Sequence, residues 1–262
     1  MNREEQIKFI EDNYPAYTNS HSKRRVRHDF FKNIRTELQA YLLGFYAADG
    51  NINEKRKTLR IHLQTGDAEL VYLYKDIISP DARLFKLSEH EVSGRNCVKV
   101  TAHESFGVDI CSTILCTDLV NLGYGYRKTY SENHLPNIED SLLRHFIRGY
   151  FDGDGNISYH YQKPDPKWHK NERLRAEIKI CAKTNTILSD IQKFLKNHGI
   201  TSSVYFAARD KMFQISIPKS QLKKVYDLFY NDSYFYLTRK YHKFSHYVNT
   251  EESQLITDLR NA

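Results

Sequence analysis

Residues 41–52 read YLLGFYAADGNI, and residues 146–157 read FIRGYFDGDGNI. Both stretches contain a glycine, four further residues and then the tetrapeptide Asp-Gly-Asn-Ile. Glycine makes up about 7% of an average protein, so the pattern Gly-x4-Asp-Gly is expected by chance well under once in a chain of 262 residues. Finding it twice indicates that the chain contains an internal repeat.

The sequence after each motif repeats the same order of secondary structure. Apolar and polar residues alternate at 58–64 and again at 174–180, which is typical of half-buried strands. Each strand is followed by a helical pattern, two hairpin strands and a further helix, at 67–78, 83–87, 97–101 and 105–122 in the first copy and at 184–199, 203–207, 213–217 and 220–230 in the second. An Arg-Lys pair closes each copy. The sequence therefore predicts an α+β fold of two pseudo-symmetric α-β-β-α-β-β-α halves.

The repeat also predicts how the chain is organised. We expect an N-terminal basic extension at 1–36, a first half at 37–135 and a second half with a C-terminal tail at 136–262. The extension contains the basic run KRRVR at 23–27, which fits both a solvated surface and a contact with phosphate groups. The Pro-rich, charged segment 163–175 predicts an exposed insertion between strands.

Composition narrows the classes of function. The chain has 39 Lys and Arg against 32 Asp and Glu, a net charge of +7, together with 19 Tyr and 14 Phe, which favours a polyanionic partner. Its four cysteines lack zinc-ligand spacing, and it has no Gly-rich phosphate loop. Four acids stand among the first twelve residues, and no apolar stretch reaches the length of a membrane helix. We therefore expect a soluble, intracellular protein, cytoplasmic or organellar, with no membrane partner.

Each motif places an Asp-Gly pair at the end of an apolar helical segment. The first segment follows Thr36 and the second starts at Asp140, residue types that favour helix starts. If the two helices pack side by side with pseudo-twofold symmetry, Asp49 and Asp154 converge. Two carboxylates at helix C-terminal ends repel each other unless a cation lies between them. The motifs therefore predict a divalent-metal site for phosphodiester chemistry.

The two motifs resemble those of monomeric LAGLIDADG homing endonucleases, which carry two repeats in one chain. The matching positions are Leu42, Gly44, Ala48, Asp49 and Gly50 in the first motif and Gly149, Asp152, Asp154 and Gly155 in the second. The resemblance covers about residues 37–245. It implies a monomer whose motif helices pack at the interface and whose two curved antiparallel sheets form a DNA-binding saddle. It also implies that Asp49 and Asp154 share two or three Mg²⁺ or Mn²⁺ ions.

The same resemblance assigns catalytic roles to three further residues. Gln64, at the end of the first strand, matches a water-ordering glutamine. Lys128 and Lys240, in the closing Arg-Lys pairs, match active-site lysines that stabilise phosphoryl charge or polarise water. For the lysines, the alternative is a solvated residue at a helix end.

The chain departs from the family pattern at two positions. Ala47 stands where the second motif keeps Asp152, and Ala182 stands where a second glutamine would be. The neighbouring Lys183 is a candidate substitute for that glutamine. We therefore expect the two halves to surround the metal-binding aspartates unequally.

The polar residues of the predicted strands indicate a DNA-reading surface. Leu59, Ile61 and Leu63 face a core, which leaves the intervening polar residues on the open face. Polar rows on a twisted antiparallel sheet can enter the major groove and contact base edges. The candidate DNA-binding residues are Arg60, His62, Gln64, Lys99 and Thr101 in the first half and Arg175, Glu177, Lys179, Lys183, Gln214 and Ser216 in the second.

The resemblance thus implies a site-specific homing endonuclease, encoded within an intron, that makes a metal-dependent break in both strands of a long, asymmetric DNA target. Two other functions on the same scaffold stay open: an RNA maturase that binds group I intron RNA, and a DNA-binding regulator. A pattern typical of another nuclease class, formed by Asp165, Glu177 and Lys179, is disfavoured because Asp165 lies in the Pro-rich segment rather than on a strand.

Overall fold

The computed structural model describes residues 1–20, 22–93, 99–164, 167 and 171–261, with positions 92, 93, 99, 100 and 261 described by their backbone alone. These residues form helices α1 (Arg3–Asn13), α2 (Glu37–Asp49), α3 (Ala68–Ile78), α4 (Thr113–Asn121), α5 (Asp140–Asp154), α6 (Thr186–Asn197), α7 (Leu222–Tyr230), α8 (Thr238–Asn249) and α9 (Glu252–Asn261). They also form strands β1 (Asn51–Asn53), β2 (Thr58–Gln64), β3 (Leu84–Leu87), β4 (His90–Ser93), β5 (Lys99–Ala102), β6 (Ser105–Cys111), β7 (Gly155–Gln162), β8 (Arg173–Ala182), β9 (Ser203–Ala207) and β10 (Met212–Pro218). None of the described helices combines the length and the apolar character that crossing a membrane requires.

Two four-stranded antiparallel sheets share one strand order. The first sheet runs β1-β2-β6-β3, and the second runs β7-β8-β10-β9. In addition, β4 and β5 form a separate two-stranded hairpin in the first half. The predicted α+β fold of two pseudo-symmetric halves is therefore confirmed, with one hairpin added to the first half.

Helices cover one face of each sheet and leave the other face open. α3 packs against β2 and β6, and α6 packs against β8, β9 and β10. Buried and less buried residues alternate along β2 and β8. Because successive strand residues point to opposite faces, the apolar side chains pack under the helices and the polar rows lie on the open face.

The segment 105–122 differs from its predicted form. Ser105–Cys111 is strand β6, which pairs with β2 on one side and β3 on the other. α4 begins only after Ser112, whose hydroxyl accepts a hydrogen bond from a first-turn amide at 3.1 Å. The prediction of one long helix is wrong here because the buried Val108 and Ile110 alternate with less buried residues. In such a short apolar run, composition alone does not separate a strand from a helix.

The predicted partner of β3 is also wrong. The sequence predicts a hairpin of 83–87 with 97–101, whereas β3 pairs with β6 and β5 pairs with β4. Positions 97 and 98 lie outside the described residues. The β4–β5 hairpin is thus inserted between two strands whose counterparts in the second half, β9 and β10, follow each other directly.

The strand that follows each motif differs in length between the halves. β1 pairs with β2 through three residues, whereas β7 pairs with β8 through eight. The predicted insertion at 163–175 lies at the β7–β8 connection, although its last three residues already belong to β8. The first sheet is therefore the shorter one on the side of the β1–β2 turn.

The backbones of α2 and α5 touch at the interface between the halves. A Cβ atom at Gly44 would lie 1.9 Å from the Phe146 carbonyl oxygen, and one at Gly149 would lie 2.1 Å from the Tyr41 carbonyl oxygen. Neither position can hold a side chain unless a helix moves. The prediction that the motif helices pack at the interface is confirmed.

A buried ion pair joins the halves at the start of α2. Arg148 is fully buried, and its Nη2 lies 2.7 Å from Glu37 Oε1. The same oxygen accepts hydrogen bonds from the amides of Tyr234 and Phe235, and Gln6 of α1 donates to Glu37 Oε2 at 3.1 Å. The N-terminal helix, both motif helices and the segment between α7 and α8 therefore meet at one point.

Candidate active site

The two motif aspartates lie close together where α2 and α5 end. Asp49 is the last residue of α2, and Asp154 is the last residue of α5. A Cβ atom at Gly153 would lie 3.2 Å from Asp49 Oδ2 and 2.3 Å from the Ala48 side chain. The Asp49 carboxylate therefore packs against the last turn of the helix that carries Asp154.

Burial makes both carboxylates harder to ionise. Burial and, to a lesser extent, the neighbouring charge of Asp49 raise the pKa of Asp154 to about 6, while a hydrogen bond with the Tyr150 hydroxyl lowers it. Burial also raises the pKa of Asp49, and the charges of Lys240 and Lys128 lower it. A cation stabilises the charged state of two such desolvated, mutually repelling carboxylates.

The donor set fits a divalent cation. Among the described residues, no group of three His, Cys, Asp or Glu side chains converges, so an ion held by Asp49 and Asp154 would complete its shell with water or substrate oxygens. Carboxylate oxygens are hard ligands that suit Mg²⁺ and Mn²⁺. A cavity of about 230 Å³ reaches Asp154, and its lining includes Ala48, Lys128, Asn133, Tyr150, Lys183 and Thr184.

Lys128 and Lys240 contact the carboxyl-terminal ends of the motif helices. Each is only 6% exposed, so neither is a solvated residue. Lys128 Nζ donates to the Ala48 carbonyl at 2.9 Å, whereas Lys240 Nζ contacts four carbonyl oxygens at residues 151, 152, 153 and 155, between 2.6 and 3.3 Å away. Burial lowers the pKa of each lysine to about 8. Both positive charges lie at the negative ends of the helix dipoles.

Contacts from the first half hold the first turn of α8. Arg239 pairs with Asp67, with Nη2 at 2.7 Å from Oδ2. Glu69 accepts hydrogen bonds from the amide and the hydroxyl of Thr238, at 2.7 and 2.6 Å. Because Lys240 follows directly in the chain, these contacts across the halves help to place it against α5.

Gln64 and Lys183 occupy equivalent positions in the two halves. The asparagine that follows each motif pairs with Arg60 in the first sheet and with Lys179 in the second. Gln64 lies four residues after Arg60, and Lys183 lies four residues after Lys179. Ala182 is 8% exposed and packs in the core. The prediction that Ala182 is the counterpart of Gln64 in the second half is therefore wrong by one residue. The cause is strand parity, since neighbouring residues point to opposite faces. Lys183 lines the cavity of about 230 Å³ that reaches Asp154.

Arg60, His62 and Gln64 lie on the open face of the first sheet, and two of them are engaged by neighbours. Arg60 donates two hydrogen bonds to Asp109, at 2.7 and 2.6 Å. His62 Nε2 lies 2.8 Å from Ser105 Oγ, and Gln64 is exposed. Strand β6 therefore orients the side chains that β2 presents.

Lys99 and Thr101 do not extend this row. Both lie on β5, which pairs with β4 and does not belong to the first four-stranded sheet. The prediction that they continue the polar face of that sheet is therefore wrong, because the hairpin partner of β3 is β6. Lys99 is described by its backbone alone, and Thr101 is exposed.

The second sheet presents Arg175, Glu177, Lys179 and Ser216 on its open face. Arg175 Nε donates to the Gln162 side chain at 2.6 Å, Lys179 Nζ pairs with Glu177 at 2.8 Å, and Ser216 Oγ lies 3.3 Å from Glu177. A cavity of about 410 Å³ is lined by Arg175, Glu177 and Ser216. This face is thus a network of polar side chains with room for a ligand above it.

Gln214 is the exception among the predicted residues of the second sheet. It is only 7% exposed. Its amide oxygen accepts a hydrogen bond from the Tyr205 hydroxyl at 3.0 Å, and its amide nitrogen donates to Asp210 at 3.2 Å. The prediction of an open, base-reading side chain is wrong for Gln214, because Tyr205 on the adjacent strand covers it.

Three residues that bear on the site are absent from the sequence-based prediction. Tyr150 lies one helical turn before Asp154, and this spacing could have indicated that their side chains meet. Asn133 donates to the carbonyl of Lys128, five residues away in the sequence, at 2.6 Å and lines the cavity that reaches Asp154. Asp109 holds Arg60 across 49 residues of sequence, so only the pairing of β2 with β6 brings these two together.

Comparison with known proteins identifies similar sequences and folds. Residues 147–250 match the family model described as LAGLIDADG endonuclease. The chain is similar to LAGLIDADG meganuclease I-AabMI bound to uncleaved DNA, with 13% identity, 87% of this chain and 97% of that chain covered, and a TM-score of 0.57. It is also similar to I-CpaMI bound to uncleaved DNA (14% identity, 87% and 99% covered, TM-score 0.54) and to I-SmaMI bound to uncleaveable DNA (12%, 86% and 93%, TM-score 0.53). No curated protein matches the chain. The family match and the shared fold confirm the resemblance seen in the motifs.

Proposed function

We propose that this chain is a LAGLIDADG homing endonuclease, encoded within an intron, that recognises a long, asymmetric DNA target and cuts both of its strands in a metal-dependent reaction. The observation that carries the proposal is the pair of desolvated carboxylates, Asp49 and Asp154, at the ends of two helices in backbone contact. The solved I-AabMI and I-CpaMI structures, which share this fold, are meganucleases bound to DNA.

Double-stranded DNA fits the charge and the shape of the open faces. The chain carries a net charge of +7, and each half presents a polar antiparallel sheet. Positions that are equivalent by register carry different residues in the two halves. Arg60 in the first half corresponds to Lys179 in the second, and Gln64 corresponds to Lys183. A single chain acting as a monomer would therefore recognise two unlike half-sites, so the preferred target is asymmetric.

Asp49 and Asp154 would hold two or three Mg²⁺ or Mn²⁺ ions between them. When bound, such ions polarise a phosphoryl oxygen and lower the pKa of water. Lys128 lines the cavity, where its positive charge would stabilise the negative charge that develops on a phosphoryl group. The Tyr150 hydroxyl orients Asp154, and Gln64, exposed at the end of β2, is free to hydrogen-bond a water molecule.

Charge removal at the two aspartates tests the proposal. In a duplex target selected from a randomised library, Asp49→Asn and Asp154→Asn should each abolish Mg²⁺-dependent cleavage of both strands. Binding should persist, because each change removes a charge and little volume. Asp227→Asn on the outer surface of α7 is the matched control and should cut normally.

The outcomes separate the candidate functions. Cleavage of both strands by either active-site variant at the wild-type rate would rule out the assignment. DNA binding without cleavage by the wild-type protein would favour a regulator, and stimulated folding of a group I intron without cleavage would favour a maturase.

A further inference from the structure

The first sheet ends early on the side of the β1–β2 turn, and part of the N-terminal segment lies beside that end. β1 pairs with β2 through three residues and β7 with β8 through eight, which makes the first hairpin shorter by roughly 17 Å. The last residue of β6, Cys111, contacts the Arg56 carbonyl in the β1–β2 turn, and the Ser112 amide donates to the Lys57 carbonyl at 2.9 Å. His28 Nδ1 in turn lies 2.7 Å from Ser112 Oγ.

The loop between Tyr17 and Val26 is anchored to this end of the first half. Backbone hydrogen bonds of 3.1 and 3.0 Å close the loop. Arg25 forms a two-pronged ion pair with Asp81, at 2.8 and 2.9 Å, and the buried Arg27 donates to the Ile77 carbonyl at 3.0 Å. Two members of the basic run therefore have structural partners within the first half.

The other two members of the run, Lys23 and Arg24, are exposed. Together with Lys55, Arg56 and Lys57 in the β1–β2 turn, which are also exposed, they form a cluster that we call the basic rim. Within the described part of the chain, none of these five side chains forms an ion pair. Among the described residues, the rim therefore concentrates five cations with no carboxylate at ion-pair distance.

The basic rim adjoins the open face of the first sheet. Lys23 and Arg24 line a cavity of about 290 Å³ together with Asp109. Lys55 and Arg56 line a second cavity, of about 400 Å³, which also includes Asp109. Because Asp109 pairs with Arg60 on the open face, both cavities open beside the surface assigned to DNA. The rim continues that surface past the point where the sheet stops.

We infer that the basic rim binds the phosphate backbone of the DNA duplex that flanks the first half-site. The inference rests on the proposed function, and it adds a division of labour between the halves. On the second-half side, the long β7–β8 hairpin presents side chains to base edges, whereas on the first-half side contact continues through flexible cations that carry no sequence information. Sequence preference should therefore end sooner on the first-half side of the target than on the other.

The dependence of affinity on salt tests the rim directly. We expect the double variant Lys23→Ala/Arg24→Ala to weaken binding to the selected target and to random duplex by the same factor. The slope of log affinity against log salt should become shallower by about 1.8, because each phosphate that the protein no longer neutralises reduces the slope by about 0.9. Lys55→Ala/Arg56→Ala is an independent second variant with the same expectation.

The matched control is Lys193→Ala/Lys196→Ala, which removes two exposed lysines from α6, on the helix-covered side of the second sheet. It should leave the salt slope unchanged. If the rim variants and the control share one slope, the inference is wrong. If the wild-type protein has no sequence preference and does not cut DNA, the proposed function itself fails, and the two failures are thus distinguishable.

Shortening the target gives a second measurement that needs no variant. Removal of the flanking base pairs at one end only should reduce the salt slope of the wild-type protein by at least as much as Lys23→Ala/Arg24→Ala does, because the shortened duplex also loses its contacts with the β1–β2 turn. On that shortened duplex, the double variant and the wild type should bind alike. The two ends of the target are shortened in separate experiments. If the loss of affinity from the variant adds to the loss from shortening whichever end is removed, the rim does not bind one flank.

Discussion

Lys128 and Lys240 both donate hydrogen bonds to backbone carbonyls at the ends of the motif helices, but they differ in the number of these bonds. Lys128 Nζ donates to one carbonyl, that of Ala48, and lines the cavity that reaches Asp154. Lys240 Nζ contacts four carbonyl oxygens around the end of α5. The first lysine is therefore available to a phosphate in the cavity, whereas the second is committed to holding the helix end that carries Asp154.

This difference predicts unequal effects of removing the two charges. Lys240→Met should lower the free energy of unfolding by about 1–3 kcal/mol, because several buried carbonyls lose their donor, and it should slow cleavage through a misplaced Asp154. Lys128→Met should slow cleavage severalfold while costing at most about 1 kcal/mol of stability. Single-turnover rates and urea titrations measure the two effects, and equal stability losses would contradict the assignment.

At the scale of elements, the close contact between α2 and α5 depends on glycines, which have no side chain. The carbonyl oxygen of Phe146 occupies the space of a Cβ atom at Gly44, and the carbonyl oxygen of Tyr41 does so at Gly149. The small residues thus bring the two helix ends, and with them the two aspartates, closer than larger residues would allow.

Gly44→Ala should therefore destabilise the protein even though alanine favours a helix. We expect a loss of about 1–3 kcal/mol from overpacking, with a fall in cleavage rate because the helix ends move apart. Gly66→Ala is the control, because no heavy atom lies within 4 Å of its would-be Cβ, and its effect should stay within about 0.5 kcal/mol. Thermal unfolding and cleavage assays on both variants check the prediction. Wild-type stability in Gly44→Ala would mean that the helices are not in backbone contact.

At the scale of the whole molecule, the Glu37–Arg148 pair links the two halves. It connects the start of α2 to α5, and Glu37 also accepts hydrogen bonds from the Tyr234 and Phe235 amides and from Gln6. The N-terminal helix, α5 and the segment between α7 and α8 therefore all contact the buried Glu37 carboxylate of α2. We expect the two halves to unfold together.

Arg148→Met should remove about 3–5 kcal/mol from the free energy of unfolding, because Glu37 is left as an unpaired buried charge. The double variant Glu37→Gln/Arg148→Met should recover part of that loss. Lys223→Met, which breaks the exposed Lys223–Asp227 pair, is the control and should cost at most about 1 kcal/mol. Urea unfolding followed by circular dichroism gives these values. Two separate transitions in the wild-type protein would contradict the expectation that the two halves unfold together.

The sequence by itself determined the repeat, the two motif helices and the pair of aspartates at their ends. These features depend on local information: a spacing of glycines and Asp-Gly pairs, apolar helical segments, and alternating residues along β2 and β8. Local patterns of this kind carry their meaning without knowledge of the partner. They were sufficient for the fold class and for the resemblance to the LAGLIDADG motifs.

Only the tertiary structure decided which strands pair and which polar side chains remain free. Ser105–Cys111 became a strand because β2 and β3 flank it, Gln214 became buried because Tyr205 lies across from it, and Lys183 rather than Ala182 became the counterpart of Gln64 through the register. In each case the outcome depends on pairing with a neighbouring strand, which the local pattern does not specify. For Ala182 and Lys183 the register decides, because a shift of one residue turns a side chain to the opposite face of the sheet.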